Sequence, residues 1–375
     1  MEQRKAERAG KPAPPPMYTC EDAQNTLKLF APARYGDTAE IVPGVTAAFT
    51  DAGHLLGSAS VTVTVTEDNI TKTIVFSGDI GNIRQPLLND PEYLHAADYV
   101  VMESTYGDRS HGARADYIGQ LTGILQDTFD RGGNVVIPSF AVGRTQEMLY
   151  FIREIKQKGL IKGHDRFTVY VDSPLAIECT HIFDRTNPVC FDAETNRLIE
   201  SGVNPIAFEG LQTAVTSDES KQINFDQSPA VILSASGMCE AGRIRHHLKH
   251  NLWREESTIL FVGYQAEGSL GRLLQDGADK VKLFGETIAV NARIATLSAI
   301  SGHADDEGLM RWAAAFPPET ARFFITHGDE HAALTIVQRL ESEQGRAATA
   351  PYNGEQCDLT ENALLAEGSR ERVRP

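Results

Sequence analysis

Three short segments place a potential metal ligand after a β-type run and beside glycine. They are Asp51-Ala52-Gly53-His54-Leu55-Leu56-Gly57-Ser58, Phe76-Ser77-Gly78-Asp79-Ile80-Gly81 and Phe323-Phe324-Ile325-Thr326-His327-Gly328. A neutral imidazole is a good donor to zinc, and a carboxylate can bridge two cations. The glycines let the chain turn sharply and keep such a site open to substrate. Any one segment alone reads equally as an ordinary loop, and it is the ordered set that points to metal chemistry.

Two strand-to-helix junctions carry a different chemistry. Ile137-Pro138-Ser139-Phe140-Ala141-Val142-Gly143-Arg144 and Leu233-Ser234-Ala235-Ser236-Gly237-Met238 would present free backbone N–H groups and a positive helix end to a phosphate. Arg144, Ser236 and Gly237 are therefore candidate substrate contacts, although both stretches also fit plain βα loops. The densest positive run follows, Gly242-Arg243-Ile244-Arg245-His246-His247-Leu248-Lys249-His250. On a helix, Arg243, His246, His247 and His250 share one broad face. Arg243 and His247 join the candidate contacts on that basis, with a merely solvated face as the alternative. The loop Gly263–Arg272 is expected to shape the same cleft without doing chemistry. His95, His111, His164, His181 and His331 show no partner pattern and are expected at structural or surface positions.

Sheets must hold these side chains in place. Val61, Val63 and Val65 alternate with Thr62, Thr64 and Thr66, and a polar turn at Glu67–Asn69 leads into Thr73–Phe76, which predicts a hairpin with one buried face. Tyr99–Met102 reads as a further buried strand. Beyond Arg109, helical stretches at Ala115–Arg131, Thr145–Lys158 and Gly242–Asn251 alternate with β runs at Asn134–Ile137, Phe167–Val171, Ala230–Leu233 and Thr258–Val262. That alternation predicts a parallel sheet covered on both faces. A helix near Asp306–Ala315 and a strand at Arg322–Thr326 follow. The ends, Glu2–Pro16 with its prolines and Glu367–Pro375 with its charges, are expected to be exposed.

The chain has 375 residues, 41% apolar and 23% charged, enough for one large domain or two smaller ones. Its formal charge of −16 argues against polyanion binding by the surface as a whole, but not by one cleft. Five separated cysteines with no CxxC pair read as reduced thiols in the cytoplasm. No stretch reaches the ~20 apolar residues that span a bilayer, so no membrane is expected.

Together the segments resemble the later motifs of the metallo-β-lactamase superfamily, in its β-CASP branch of nucleic-acid nucleases. Val100-Val101-Met102-Glu103-Ser104-Thr105-Tyr106-Gly107-Asp108-Arg109 resembles the acidic β-CASP motif, Ser301-Gly302-His303-Ala304-Asp305 its first histidine motif, and Thr326-His327-Gly328 its last. The resemblance covers the chain from about Tyr18 to Gly328. It implies an α/β protein in which an αββα sandwich (residues 1–107 and 291–375, incomplete at its N-terminal side) is interrupted by a β-CASP domain of parallel sheet and helices (108–290). It implies two zinc ions, with His54 on the first, Asp79 bridging and His327 on the second. Asp79, Glu103 and His303 would be catalytic, the His303 imidazole protonating the leaving 3′ oxygen under the influence of Glu103. A histidine at 327 is the RNA-type choice. The implied reaction is metal-dependent hydrolysis of RNA phosphodiester bonds in processing or decay, giving 5′-phosphate and 3′-hydroxyl ends. RNA is the implied partner, and a homodimer is left open.

One departure from the pattern has consequences. The family's His-x-His-x-Asp-His signature should precede His54, yet none of the 11 histidines forms a His-x-His pair. A catalytic zinc takes three protein ligands, so the expectation is a chain that begins partway into its domain, with a weak or empty metal site, impaired activity and exposed sheet edges. Two rival readings are a non-catalytic paralogue that binds RNA or a partner and a metallo-hydrolase of small molecules.

Overall fold

Alternation of valine and threonine builds the centre of the first sheet. In the computed structural model, which describes residues 6, 10, 12, 15–112, 116–297 and 301–371, Val61, Val63 and Val65 lie opposite Phe76, Ile74 and Lys72. The turn between them places Asp68 and Asn69 at φ 48° and 60°. Such left-handed residues are what a two-residue hairpin needs, and short polar side chains tolerate them best. Strands β1 (Thr38–Val42), β2 (Val45–Asp51), β3 (Ala59–Glu67) and β4 (Ile70–Phe76) form an antiparallel meander. The sheet then becomes parallel through β5 (Tyr99–Met102), β14 (Arg322–Ile325) and β15 (Ala348–Thr349).

The second sheet is parallel throughout. It contains β6 (Val135–Pro138), β7 (Thr168–Val171), β8 (Leu211–Thr213), β9 (Ala230–Ser234), β10 (Thr258–Phe261) and β13 (Arg293–Thr296), in the order β13-β10-β6-β9-β7-β8. β13 lies beyond the expected division at residue 290 and still belongs with this sheet, pairing with β10 from Thr258↔Arg293 to Phe261↔Thr296. A separate hairpin joins β11 (Lys280–Leu283) to β12 (Glu286–Ala289).

Period-two side chains divide the second sheet between two cores. Val135, Ile137, Val231 and Leu233 face one cluster with helix Arg144–Gln157, while Val136, Ile232 and Ile259 face another with helix Ile244–Asn251. Burial on both faces explains why these strands read as unbroken apolar runs. In the first sheet, helices Asp306–Ala314 and Glu330–Gln344 cover one face. Trp312, Leu309, Ile336 and Leu340 pack there on Val75, Val100, Met102 and Phe323. No helix among the described residues is long and apolar enough to cross a membrane. Parts of the expected N- and C-terminal tails, and Ala115 at the start of one expected helix, lie outside the described residues.

Phe323 is fully buried, its ring edge-on to Phe316 at 5.9 Å, and Phe316 in turn meets Trp312 at 5.0 Å. Phe323→Ala is therefore expected to cost about 3–5 kcal/mol, read from the urea midpoint of tryptophan emission. An unchanged midpoint would contradict this packing.

Candidate metal centre and cleft

Three neighbouring parallel strands deliver the chemistry to one edge. β4, β5 and β14 are adjacent in the first sheet, and Asp79, Glu103 and His327 all lie within three residues of their C-terminal ends. Backbone bonds fix the relative heights of the loops. Ser77 N–H donates to Val101 O (2.9 Å), Thr326 N–H to Met102 O (2.8 Å) and Ser104 N–H to His327 O (3.2 Å). His54 comes from the loop between β2 and β3, and His303 from the loop before helix Asp306–Ala314.

Gly81 is where those last two loops are pinned. Its N–H donates to Ala52 O (2.7 Å), and it forms an isolated antiparallel bridge with His303. Ala304 N–H donates to Ile80 O (2.8 Å) and Asn82 N–H to Gly302 O (3.0 Å). A Cβ at position 81 would lie 2.0 Å from Gly53 O, so no other residue permits this approach.

The two oxygens of Asp79 face different imidazoles. Oδ1 is 3.0 Å from His327 Nδ1 and Oδ2 is 3.7 Å from His54 Nε2. The second separation is too long for a hydrogen bond and suits two donors to one cation. His54, Asp79 and His303 also offer ligand atoms within 4.8 Å of one another. Burial first, and then the nearby His303 charge, hold His54 below the usual histidine range, so its ring is neutral and able to ligate. The buried His54 Nδ1, beside the Gly302 backbone, lacks a well-formed hydrogen bond. The donor set fits a divalent cation, with a single terminal imidazole on each side of the carboxylate. His327 holds this position at φ 48°, and Thr105 Oγ1 donates to its carbonyl at 3.1 Å. Left-handed backbone at a non-glycine residue persists where its surroundings enforce it.

Glu103 and His303 form the other functional pair. His303 Nδ1 lies 3.1–3.2 Å from both Glu103 oxygens, and the acceptor-only carboxylate makes Nδ1–H the donor. Ile80 N–H (2.5 Å) and Thr105 N–H (3.3 Å) also donate to Glu103. Burial acts to raise the Glu103 pKa, but the His303 bond and charge and these N–H groups outweigh it, leaving it lowered. For His303 burial acts downward, but Glu103 and then Asp79 outweigh it, so the ring holds its proton above the ordinary histidine pKa. His111, expected at a structural or surface position, belongs here: its Nε2 is 3.1 Å from His303 O, and its ring meets Tyr106 edge-on. No spacing rule links it to His303; only the fold does.

A cleft of about 690 Å³ opens over these groups, walled by both sheets. Arg144 lines it, paired with Glu147. Neither Ser236 nor Gly237 lines it: Gly237 is buried against the Phe140 ring, and only the neighbouring Met238 reaches the cleft. Arg243 and His247 do not face it. His247 is fully buried, with Nε2 2.6 Å from Asp172 Oδ2, while Arg243 donates to Asp172 Oδ1 (2.7 Å) and to two backbone carbonyls. The expected positive face is thus turned inward, because the buried Asp172 carboxylate at the end of β7 requires cationic donors. On the outer side His246 stacks on Phe284 at 4.3 Å and Lys249 pairs with Glu286.

Comparison with known proteins places this geometry in a family. Residues 145–274 match the Beta-Casp domain, and residues 287–351 match the Zn-dependent metallo-hydrolase RNA specificity domain. The chain is 35% identical over 323 residues to ribonuclease TTHA0252 of Thermus thermophilus, covering 86% of this chain and 71% of that one. It is 31% identical over 351 residues to transcription termination factor FttA of Methanocaldococcus jannaschii (90% and 54%), so it spans about half of that relative. An RNase J-like protein of the same organism is 30% identical over 331 residues (86% and 73%).

Replacing Glu103 by Gln removes the charge that outweighs burial at His303. The His303 pKa should then fall below the ordinary histidine value in the metal-free chain. Histidine ring-proton NMR against pH reads this directly, and an unmoved titration would contradict the pairing.

Proposed function

The chain belongs to the β-CASP branch of the metallo-β-lactamase fold, and from that membership we propose that it hydrolyses RNA phosphodiester bonds at a metal centre built on His54, Asp79 and His327. The observation that carries the reading is one cleft lined by His54, His303 and His327, with the Asp79 carboxylate between the first and last and the buried Glu103 on His303. His54, His327 and Asp79 would hold two zinc ions, each with two protein donors, one short of the three a catalytic zinc takes, so weak metal binding is expected. When bound, such ions supply charge neutralisation at the phosphoryl oxygens and a water acidic enough to attack near neutral pH.

The chain's own residues perform the remaining work. Glu103 orients the His303 ring through Nδ1, which leaves Nε2 for the leaving 3′ oxygen. His303 keeps its proton because Glu103 and Asp79 favour the charged ring, and a positioned acid of this kind contributes about 10²–10⁴-fold. Arg144, which lines the cleft, is the residue proposed to hold an RNA phosphate. RNA as substrate agrees with the name of the Thermus relative and with the RNA specificity domain. Five free cysteines fit a cytoplasmic setting.

The chain, given millimolar manganese or zinc and 5′-labelled single-stranded RNA, is expected to yield 5′-phosphate and 3′-hydroxyl fragments slowly, because each metal finds only two protein donors. Asp79→Asn should abolish cleavage and lower metal uptake. His303→Ala should slow cleavage by about 10²–10⁴-fold while leaving bound metal unchanged. RNA binding without metal uptake or cleavage would favour a non-catalytic binding role instead, and neither binding nor cleavage would contradict the proposal.

A further inference from the structure

The wall of the cleft facing the metal centre is apolar where an acidic nuclease would be expected to present charge. Phe140 and Tyr264 line it and are 51% and 49% exposed. Both follow the C-terminal ends of adjacent parallel strands, β6 and β10, where ligands of open α/β sheets bind. Neighbouring strands run about 4.8 Å apart, so the two loops lie side by side on one wall of the cleft.

Neither ring sits on a slack loop. A Cβ on Gly237 would lie 3.2 Å from Phe140 Cε2, so the bare glycine backbone supports the ring from one side. Phe140 O accepts from Thr145 Oγ1 at 2.7 Å. The buried Gln265, next to Tyr264, donates through Nε2 to Gly237 O (2.9 Å) and to Tyr264 O (3.1 Å), which ties the Tyr264 loop to the glycine that supports Phe140. Half-exposed aromatic rings fixed in this way beside a hydrolytic centre suit flat, apolar ligand faces. Unpaired nucleobases have such faces, and paired ones keep theirs within the helix.

We infer that Phe140 and Tyr264 form a platform on which two unpaired bases next to the scissile phosphate stack, which makes the cleft selective for single-stranded RNA. This rests on the RNA reading above. Stacking recognises any base, so the platform gives strand selectivity with little sequence preference.

The test is binding, in EDTA so that nothing is cleaved, of single-stranded oligoribonucleotides carrying 2-aminopurine at successive positions. With the unsubstituted chain, fluorescence should be quenched at one or two adjacent positions. Phe140→Leu and Tyr264→Leu keep apolar bulk but lose the ring, and each should weaken binding by roughly 5- to 100-fold and relieve the quenching. Phe140→Trp should restore both. Duplex RNA should be bound no more weakly by the leucine variants than by the unsubstituted chain. Leucine variants that match the unsubstituted chain in affinity and quenching would overturn the platform while leaving the RNA reading intact. Failure of the unsubstituted chain to bind any oligoribonucleotide would overturn both.

Discussion

The candidate chemistry depends on a backbone contact at Gly81. Its N–H bonds to the loop carrying His54, its bridge reaches His303, and a single methyl group there would meet the Gly53 carbonyl at 2.0 Å. Three segments that are remote in sequence are thus held to a fixed spacing by main-chain bonds, which no side-chain rearrangement can relax. The sheet supplies the other half of the constraint, since β4, β5 and β14 end at one edge and carry Asp79, Glu103 and His327 with them. Precise placement on rigid elements is what a metal centre requires.

The protein solves the burial of a carboxylate in two ways. Glu103 and Asp172 each follow a parallel strand, and each is satisfied by a histidine and other donors. In both cases burial pushes the carboxyl pKa up, and the partners bring it back below the usual range. The difference lies in what remains open. His303 keeps one ring face toward the cleft, whereas His247 is fully enclosed, with Nδ1 held 3.0 Å from Asn224 Oδ1. The first pair is available to a substrate; the second ties helix Ile244–Asn251 to β7. Removing one member of the second pair would leave an uncompensated buried charge, a far larger penalty than losing a surface pair.

Much of this was legible in the residues. The valine–threonine alternation gave the β3–β4 hairpin, and unbroken apolar runs gave β6, β9 and β10, because a residue's burial follows its strand period. The ligand-bearing loops were legible because glycine beside histidine or aspartate after a strand is a local signal. The helices Pro174–Arg185 and Glu330–Gln344 were missed, the second although its glycine C-cap at Gly345 (φ 65°) is a local stop signal. Arg243 and His247 were assigned outward because helical periodicity shows which residues share a face, not which way the face points. That direction was set by Asp172, 71 residues earlier in sequence than Arg243. His111 depends on contacts between elements and had no local signature, whereas the loops of Phe140 and Tyr264 were legible as cleft-lining turns and only the exposure of their rings was not.

The central claim is that His54, Asp79 and His327 serve one metal centre. Crystals grown with excess zinc or manganese test it most directly, through anomalous scattering at the metal edge. Peaks are expected within bonding distance of Asp79, on its His54 and His327 sides. Peaks only elsewhere, or none at saturating metal, would contradict it.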